Sequence, residues 1–336
     1  MSSSAPDTAA VRAGEELNLA GLSVWLGTQD ITVTQFPGGH SNLTYLVTTP
    51  DAEYVLRRPP LGPVAPKAHD MAREYRLLAA LHPVFRAAPQ PISLCEDLSI
   101  LGAPFFLMER RRGVIYRTAA PAELAAPLSR AFLSTLVQLH SLDLEETGLL
   151  ALGKPDGFLS RQVAGWIDRW RRAADRPLPA AEYTVNFLVS FIPESGPPAL
   201  IHNDYKLDNI MFSDDPNPTV VAVLDWEMAT VGDPLLDLGV ALAYWRHAQL
   251  PDPPFTTGPG WWTRDQIVEH YAARTARDVS RLAYYEVFGV FKLIVIVQQI
   301  YARWLRGQTR DERFAGFGAV VEQLARTAAR LAEQVA

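Results

Sequence analysis

The chain has 336 residues, 48% hydrophobic and 20% charged, with a net charge of −6. That length buries a sizeable core, in one bilobed unit or in two domains. The negative charge argues against nucleic acid as a partner. The single cysteine, Cys95, excludes an internal disulfide and fits a reducing, cytoplasmic setting.

In chain order, residues 1–10 are small and polar without periodicity and read as a disordered tail, with no basic segment followed by an apolar one of the secretory kind. Residues 11–108 read as a strand-rich lobe. "DITVTQFPGGHSNLTYLVTTPDAEYVLRRPP" gives three strands around a glycine turn and a "TPDAE" turn. "APKAHDMAREYRLLAALH" has Met71, Tyr75, Leu78 and Leu81 at helical spacing, which predicts one helix after the third strand. "PISLCEDLSILGAPFFLMER" adds two short strands, for a five-stranded antiparallel sheet. Residues 109–113 read as a hinge and 114–336 as a mostly helical lobe. Its apolar stripes include Leu128, Phe132, Leu136 and Leu139, then Val163, Trp166, Ile167 and Trp170. "YYEVFGVFKLIVIVQQIYARWL" is long and apolar but carries Glu286 and Lys292. It reads as a buried helix, not a membrane span. No internal repeat is evident.

The chemistry concentrates in "LIHNDYKLDNIMF" and "VAVLDWE", where "NIMFS" and "TVVAVLDWE" are β-like runs separated by the "DDPNP" turn. They predict a hairpin whose entry carries Asp204, Asp208 and Asn209 and whose exit carries Asp225. An amide oxygen and a carboxylate offered together, at Asn209 and Asp225, suit a hard cation such as magnesium, which takes its other ligands from water and phosphate. Asp204 sits where it can orient a hydroxyl and accept its proton. Gly38, Gly39 and Ser41 form a turn whose N–H groups can cradle phosphate.

"HNDYKLDN" followed by "LDWEMATVGDPLLDLG" resembles the aminoglycoside phosphotransferase (APH) family of small-molecule kinases, related in fold to protein kinases and choline kinases. The similarity extends to "FPGGHSNLTYLV", "YVLRRPP", "AREYRLLAAL" and "PFFLMERRRG". "FLSRQVAGWIDRW" and "VFKLIVIVQQIYARW" are similar to the subgroup that resembles the amino-terminal kinase-like part of certain acyl-CoA dehydrogenases. The resemblance implies an α+β, protein-kinase-like bilobed fold and transfer of a phosphoryl group from ATP, or another purine nucleoside triphosphate, with Mg2+. It implies Asp204 as base and Lys206 as a cation for the migrating group. Arg57 stands where the family often has a lysine, with Glu74 as its helix partner, and arginine is not a conservative replacement there. Met108, Glu109 and Arg111 fall on the connector whose backbone reads the adenine edge. His202 packs to hold the loop, and Asp233 and Asp237 act as structural acids.

For the acceptor, Arg161, Arg169 and Arg172 recur on one side of a helix beside Trp166 and Trp170. Solvated arginines on an amphipathic helix are one reading. A basic rim for an anionic hydroxyl acceptor such as a hydroxyacyl-CoA is the other, with Trp226 and Glu227 as further substrate candidates. A polycationic aminoglycoside would prefer a more acidic cleft. Two competing functions are a nucleotide-binding pseudokinase, favoured by Arg57, and a metal-dependent hydrolase. Intact Asp204, Asn209 and Asp225 oppose the first, and the lack of a closed His/Asp ligand set opposes the second.

Overall fold

The computed structural model describes residues 7–37, 42–61, 69–247, 254–309 and 311–335. The glycine turn at Gly38, Gly39 and Ser41 lies outside them. The chain divides into two compact units, Met1–Arg112 with Val221–Glu227, and Gly113–Val220 with Met228–Ala336.

The first unit is a sheet with helices attached. Its elements are α1 (Leu19–Leu26), β1 (Thr32–Gln35), β2 (Leu43–Thr48), β3 (Glu53–Arg58), α2 (Met71–Leu81), β4 (Pro91–Cys95), α3 (Leu98–Leu101) and β5 (Phe105–Glu109). The five strands pair antiparallel in the order β1-β2-β3-β5-β4. Side chains alternate across a strand, so Tyr45, Val47, Leu56, Phe105 and Leu107 share one buried cluster with Leu22 of α1 and Leu101 of α3. Tyr75 of α2 meets Phe106 edge-on, with ring centroids 6.2 Å apart. Alternation therefore sends Arg57, the register partner of Phe106, toward α2, while Arg58 donates to the Leu101 carbonyl at 3.1 Å.

Two features differ from the sequence expectation. The unit has α1 and α3 besides α2; both are short, and α1 fully buries only Leu22 and Ser23, so it carries no apolar stripe. What defines α1 is its ends: Asn18 accepts from the Gly21 N–H, and Gly27 closes it at φ 72°. In addition, Ala9 exchanges two backbone hydrogen bonds with Gln35, of 2.9 and 2.8 Å. Pairing with β1 thus begins within the stretch read as a tail.

The second unit holds α4 (Ala125–His140), α5 (Phe158–Ala173), α6 (Pro179–Ser190), β6 (Ala199–Ile201) and β7 (Ile210–Phe212). After β8 (Val220–Val223), which runs from this unit into the first, come β9 (Thr230–Gly232), α7 (Pro234–His247), α8 (Arg264–Thr275), α9 (Leu282–Leu305) and α10 (Phe317–Glu333). β6 pairs antiparallel with β9 through Leu200 and Val231, bracketing the loop that begins at His202. The turn after β7 is closed by the Ser213 N–H to the Thr219 carbonyl at 2.9 Å. α9 is long and apolar enough to cross a membrane by length and composition, but 78% of its most apolar window is buried in the protein. Glycines set the close approach of α7 and α9. A Cβ at Gly239 would lie 2.4 Å from the Tyr285 carbonyl oxygen, and one at Gly289 would lie 2.5 Å from the Gly239 carbonyl oxygen. Backbone cannot yield as a side-chain tip can, so Gly239→Ala should destabilise this unit by about 3 kcal/mol, at the upper end of overpacking costs. Urea denaturation checks this, and an unchanged midpoint would show that the helices separate freely.

Candidate active site

The loop after β6 is held by a buried acid. Asp237, in the first turn of α7 and fully buried, accepts from the backbone N–H groups of His202 and Asn203, both at 2.7 Å. His140 of α4 donates its Nε2–H to the same carboxylate at 3.3 Å, and its Nδ1 lies 2.9 Å from the Tyr271 hydroxyl. Burial holds the His140 imidazole below its ordinary range, and hence neutral. Asn203 takes a left-handed conformation, φ 66°, which asparagine tolerates better than most residues. Its side-chain amide donates to the Met228 carbonyl at 3.1 Å. Tyr205, fully buried, donates to the Phe132 carbonyl at 2.7 Å. The loop is therefore pinned at three successive places around Asp204.

Asp204 itself faces cations. Lys206 Nζ lies 2.8 Å from its carboxylate, and Asn209 Nδ2 donates to its backbone and side-chain oxygens at 2.9 and 3.2 Å. Burial alone would raise the Asp204 carboxyl, but Lys206 and Lys292 outweigh it and hold the group at about 2. The Asn209 side-chain oxygen accepts no hydrogen bond among the described residues, although the residue is buried. That leaves a hard oxygen donor available for a cation.

Lys292, reading merely as a charge in an apolar helix, is the residue that sequence reasoning missed. It is 1% exposed, and its ammonium donates to the Asn203 carbonyl. Tyr244 of α7 was missed as well; its ring lies 4.9 Å from Lys206 Nζ. An ionisable residue inside a long apolar run is a weak signal, because it does not say which surface the side chain meets.

In the first unit, Arg57 is 7% exposed and gathers three carboxylates. Glu74 lies 3.1 Å from Nε, Asp225 bonds Nη2 directly, and Glu227 lies 3.7 Å away. Three acids around one guanidinium leave excess negative charge. The arginine stays ionised, and the excess falls on Glu74, where burial, opposed by Arg57, pushes the carboxyl up to about 7. Asp225 occupies a left-handed conformation, φ 67°, and remains partly exposed. Asp225 can therefore offer a carboxylate to magnesium, which needs only one or two protein carboxylates alongside phosphate and water. No group of three or more metal-binding side chains occurs among the described residues.

The remaining candidates resolve as follows. Met108 is a buried strand residue paired with Val55 and Pro91. Glu109 accepts from the Gln90 N–H at 2.6 Å and Arg111 lies 2.6 Å from Glu109, so both side chains are occupied within their own unit. Trp226 does not present a face to a substrate. It is 1% exposed, donates to the Val223 carbonyl at 2.7 Å and packs edge-on against Phe85. Glu227 accepts from Asn42 at 2.6 Å, within the first unit. The expected three-arginine rim is not formed. Arg161 donates to the carbonyls of Lys154 and Asp156, bracing the loop before α5. Arg172 pairs with Asp168 at 2.6 Å. Only Arg169 is otherwise placed, its guanidinium 4.5 Å from the Trp166 ring centroid.

A family model described as the phosphotransferase enzyme family, APH, matches residues 32–283. Acyl-CoA dehydrogenase family member 10 of Mus musculus is 33% identical over 93% of this chain, and member 11 of Rattus norvegicus is 33% identical over 90%. The chain spans only 30% and 40% of those relatives' lengths. Among solved structures, a Ralstonia eutropha protein assigned to the aminoglycoside phosphotransferases superposes with a TM-score of 0.81. It is 26% identical, over 95% of this chain and 99% of that one. A macrolide 2'-phosphotransferase type I, 19% identical over 94% of this chain and 98% of that one, shares the fold at a TM-score of 0.63.

Proposed function

We propose that this chain, which belongs to the phosphotransferase enzyme (APH) family, transfers the terminal phosphoryl group of ATP, with magnesium, to the hydroxyl of a small molecule. The chain is a phosphotransferase of kinase-like fold. The nucleotide, the metal and a hydroxyacyl-CoA acceptor are our reading. The observation that carries it is Asp204, ionised beside Lys206 on a loop pinned by Asp237. Related folds have been solved with ADP or AMP-PNP and hygromycin B, and with GDP. The names of the acyl-CoA dehydrogenase relatives support the acyl-CoA acceptor.

Phosphoryl transfer needs positioning and charge neutralisation more than covalent help from the protein. Asp204 orients the acceptor hydroxyl. It takes the proton as the new oxygen–phosphorus bond forms and the bond to the leaving diphosphate breaks. Lys206, beside Asp204, offsets negative charge on the migrating group. Asn209 in the helical unit and Asp225 in the sheet unit are each candidate ligands for magnesium, whose bound form would neutralise phosphate oxygens. Arg57 is the candidate for the distal phosphates, and it bonds Asp225 directly here.

The experiment is a purified-protein assay with ATP and magnesium against hydroxyacyl-CoA, choline and an aminoglycoside. ATP with magnesium should raise the melting temperature, since a ligand that binds only the folded state stabilises it. Arg57→Ala should weaken ATP binding about tenfold or more, as expected on losing a charge-assisted contact. No binding of a purine nucleotide by calorimetry at millimolar concentration would refute the nucleotide reading. A clear preference for choline or the aminoglycoside would refute the hydroxyacyl-CoA assignment and leave the kinase assignment standing.

A further inference from the structure

Charge around Asp204 is unevenly distributed inside the helical unit. Lys206 and Lys292 both act on the one carboxylate. Lys292 also feels Arg169, and its ammonium and the Arg169 guanidinium lie 5.3 and 4.5 Å from the centroid of the same Trp166 ring. The acids nearby are engaged elsewhere. Asp237 is spent on His140 and two backbone N–H groups, and Asp168 is held by Arg172 at 2.6 Å. Asp208 is exposed to solvent, where Lys206 acts on it as well as on Asp204. Among the described residues Arg169 makes no ion pair, yet it is half-buried and its guanidinium lies over the indole. An arginine in this state offers a fork of N–H donors that matches an anionic oxygen.

We propose that Arg169, laid over the Trp166 ring that the buried Lys292 also approaches, is a specificity residue that receives an anionic oxygen of the hydroxyl acceptor. Arg169 supplies the contact. Lys292, too buried to be touched, supplies positive potential and holds the Asn203 carbonyl in place. Trp166 fixes the position of the guanidinium. Burial pulls both cations below their ordinary range, and a bound anion offsets that cost. The inference rests on the phosphotransferase reading of the Asp204 site, and it adds which part of the acceptor is recognised and by what. A free carboxylate and the phosphates of a CoA thioester present the same chemistry, so the test must separate them.

The probes are 4-hydroxybutanoate, its CoA thioester and butane-1,4-diol, which keeps the hydroxyl without the anion. Binding is measured by calorimetry on the full chain, and phosphorylation by transfer of labelled phosphate. The wild type should bind one or both anionic probes about tenfold or more tightly than the diol, the gain expected of a charge-assisted contact. Arg169→Gln should bring that affinity down to that of the diol, Arg169→Lys should restore part of it, and Arg172→Gln should leave it intact. Loss for the free acid identifies a carboxylate as the ligand; loss confined to the thioester identifies the CoA phosphates. If Arg169→Gln keeps the full discrimination with an unchanged melting temperature, or the wild type shows none, the proposal is overturned. Arg169-dependent anion binding without phosphate transfer would instead sink the kinase reading and leave the anion seat standing. Transfer to a hydroxyl that is indifferent to Arg169 would do the reverse.

Discussion

Asp204→Asn should lower turnover by about 10²–10⁴-fold while leaving ATP binding unchanged. The substitution keeps the shape of the side chain and the backbone carbonyl that Asn209 bonds at 2.9 Å. It removes the proton acceptor and one partner of the 2.8 Å contact with Lys206. The loss should fall on the chemical step, so single-turnover rates should drop with the nucleotide dissociation constant unaltered. Stability provides a second, independent readout. A carboxyl held at about 2, below its ordinary 3.8, contributes stability that is present above the unfolded-state value and lost as pH falls through the folded one. The difference in unfolding free energy between wild type and Asp204→Asn should therefore shrink as pH is lowered from 4 toward about 2. Equal damage to nucleotide affinity and turnover would show that Asp204 holds the metal–nucleotide complex and is not the base.

Asp237→Asn should destabilise the helical unit by about 3–5 kcal/mol, the range for breaking a fully buried charged network by removing one partner. The carboxylate accepts from two adjacent backbone N–H groups through different oxygens and from His140 as well. Asparagine has one oxygen, so its amide must face either a backbone N–H or the His140 donor, and a buried donor is left unpaired. Burial by itself would raise the Asp237 carboxyl, but its bonds to His140 and the loop hold it below the ordinary range. Its contribution is thus present above the unfolded-state pKa and lost on acidification. Urea unfolding at neutral pH measures the effect. Turnover should fall too, because the loop it fixes carries Asp204. A shift below about 1 kcal/mol would mean that the loop is held by Tyr205 and Asn203 without it.

Much of the architecture was legible because it is local. Strand alternation at Tyr45, Val47 and Leu56 depends on near neighbours, and so does the turn between Ser213 and Thr219. α1 escaped notice because its definition lies in Asn18 and Gly27 and not in a stripe. The order of Asp204, Asn209 and Asp225 along the chain was enough to name a phosphotransferase. It was not enough to say what each acid touches.

The sequence by itself determined the inventory: five strands before residue 110, a helical remainder, and a run of acids in the order of a phosphoryl-transfer family. Only the tertiary structure decided the partners. Trp226, next to Asp225 in sequence, spends its indole N–H on Val223 and its face on Phe85. Arg161, Arg169 and Arg172 share a helix side, yet a preceding loop takes the first and Asp168 the last, leaving one. Lys292, on α9, lies 89 positions from the Asn203 carbonyl that it bonds. The physical reason is the same in each case. Hydrogen bonds and charges act over a few ångströms in a dry interior, so a polar group's role depends on which distant segments the fold packs around it.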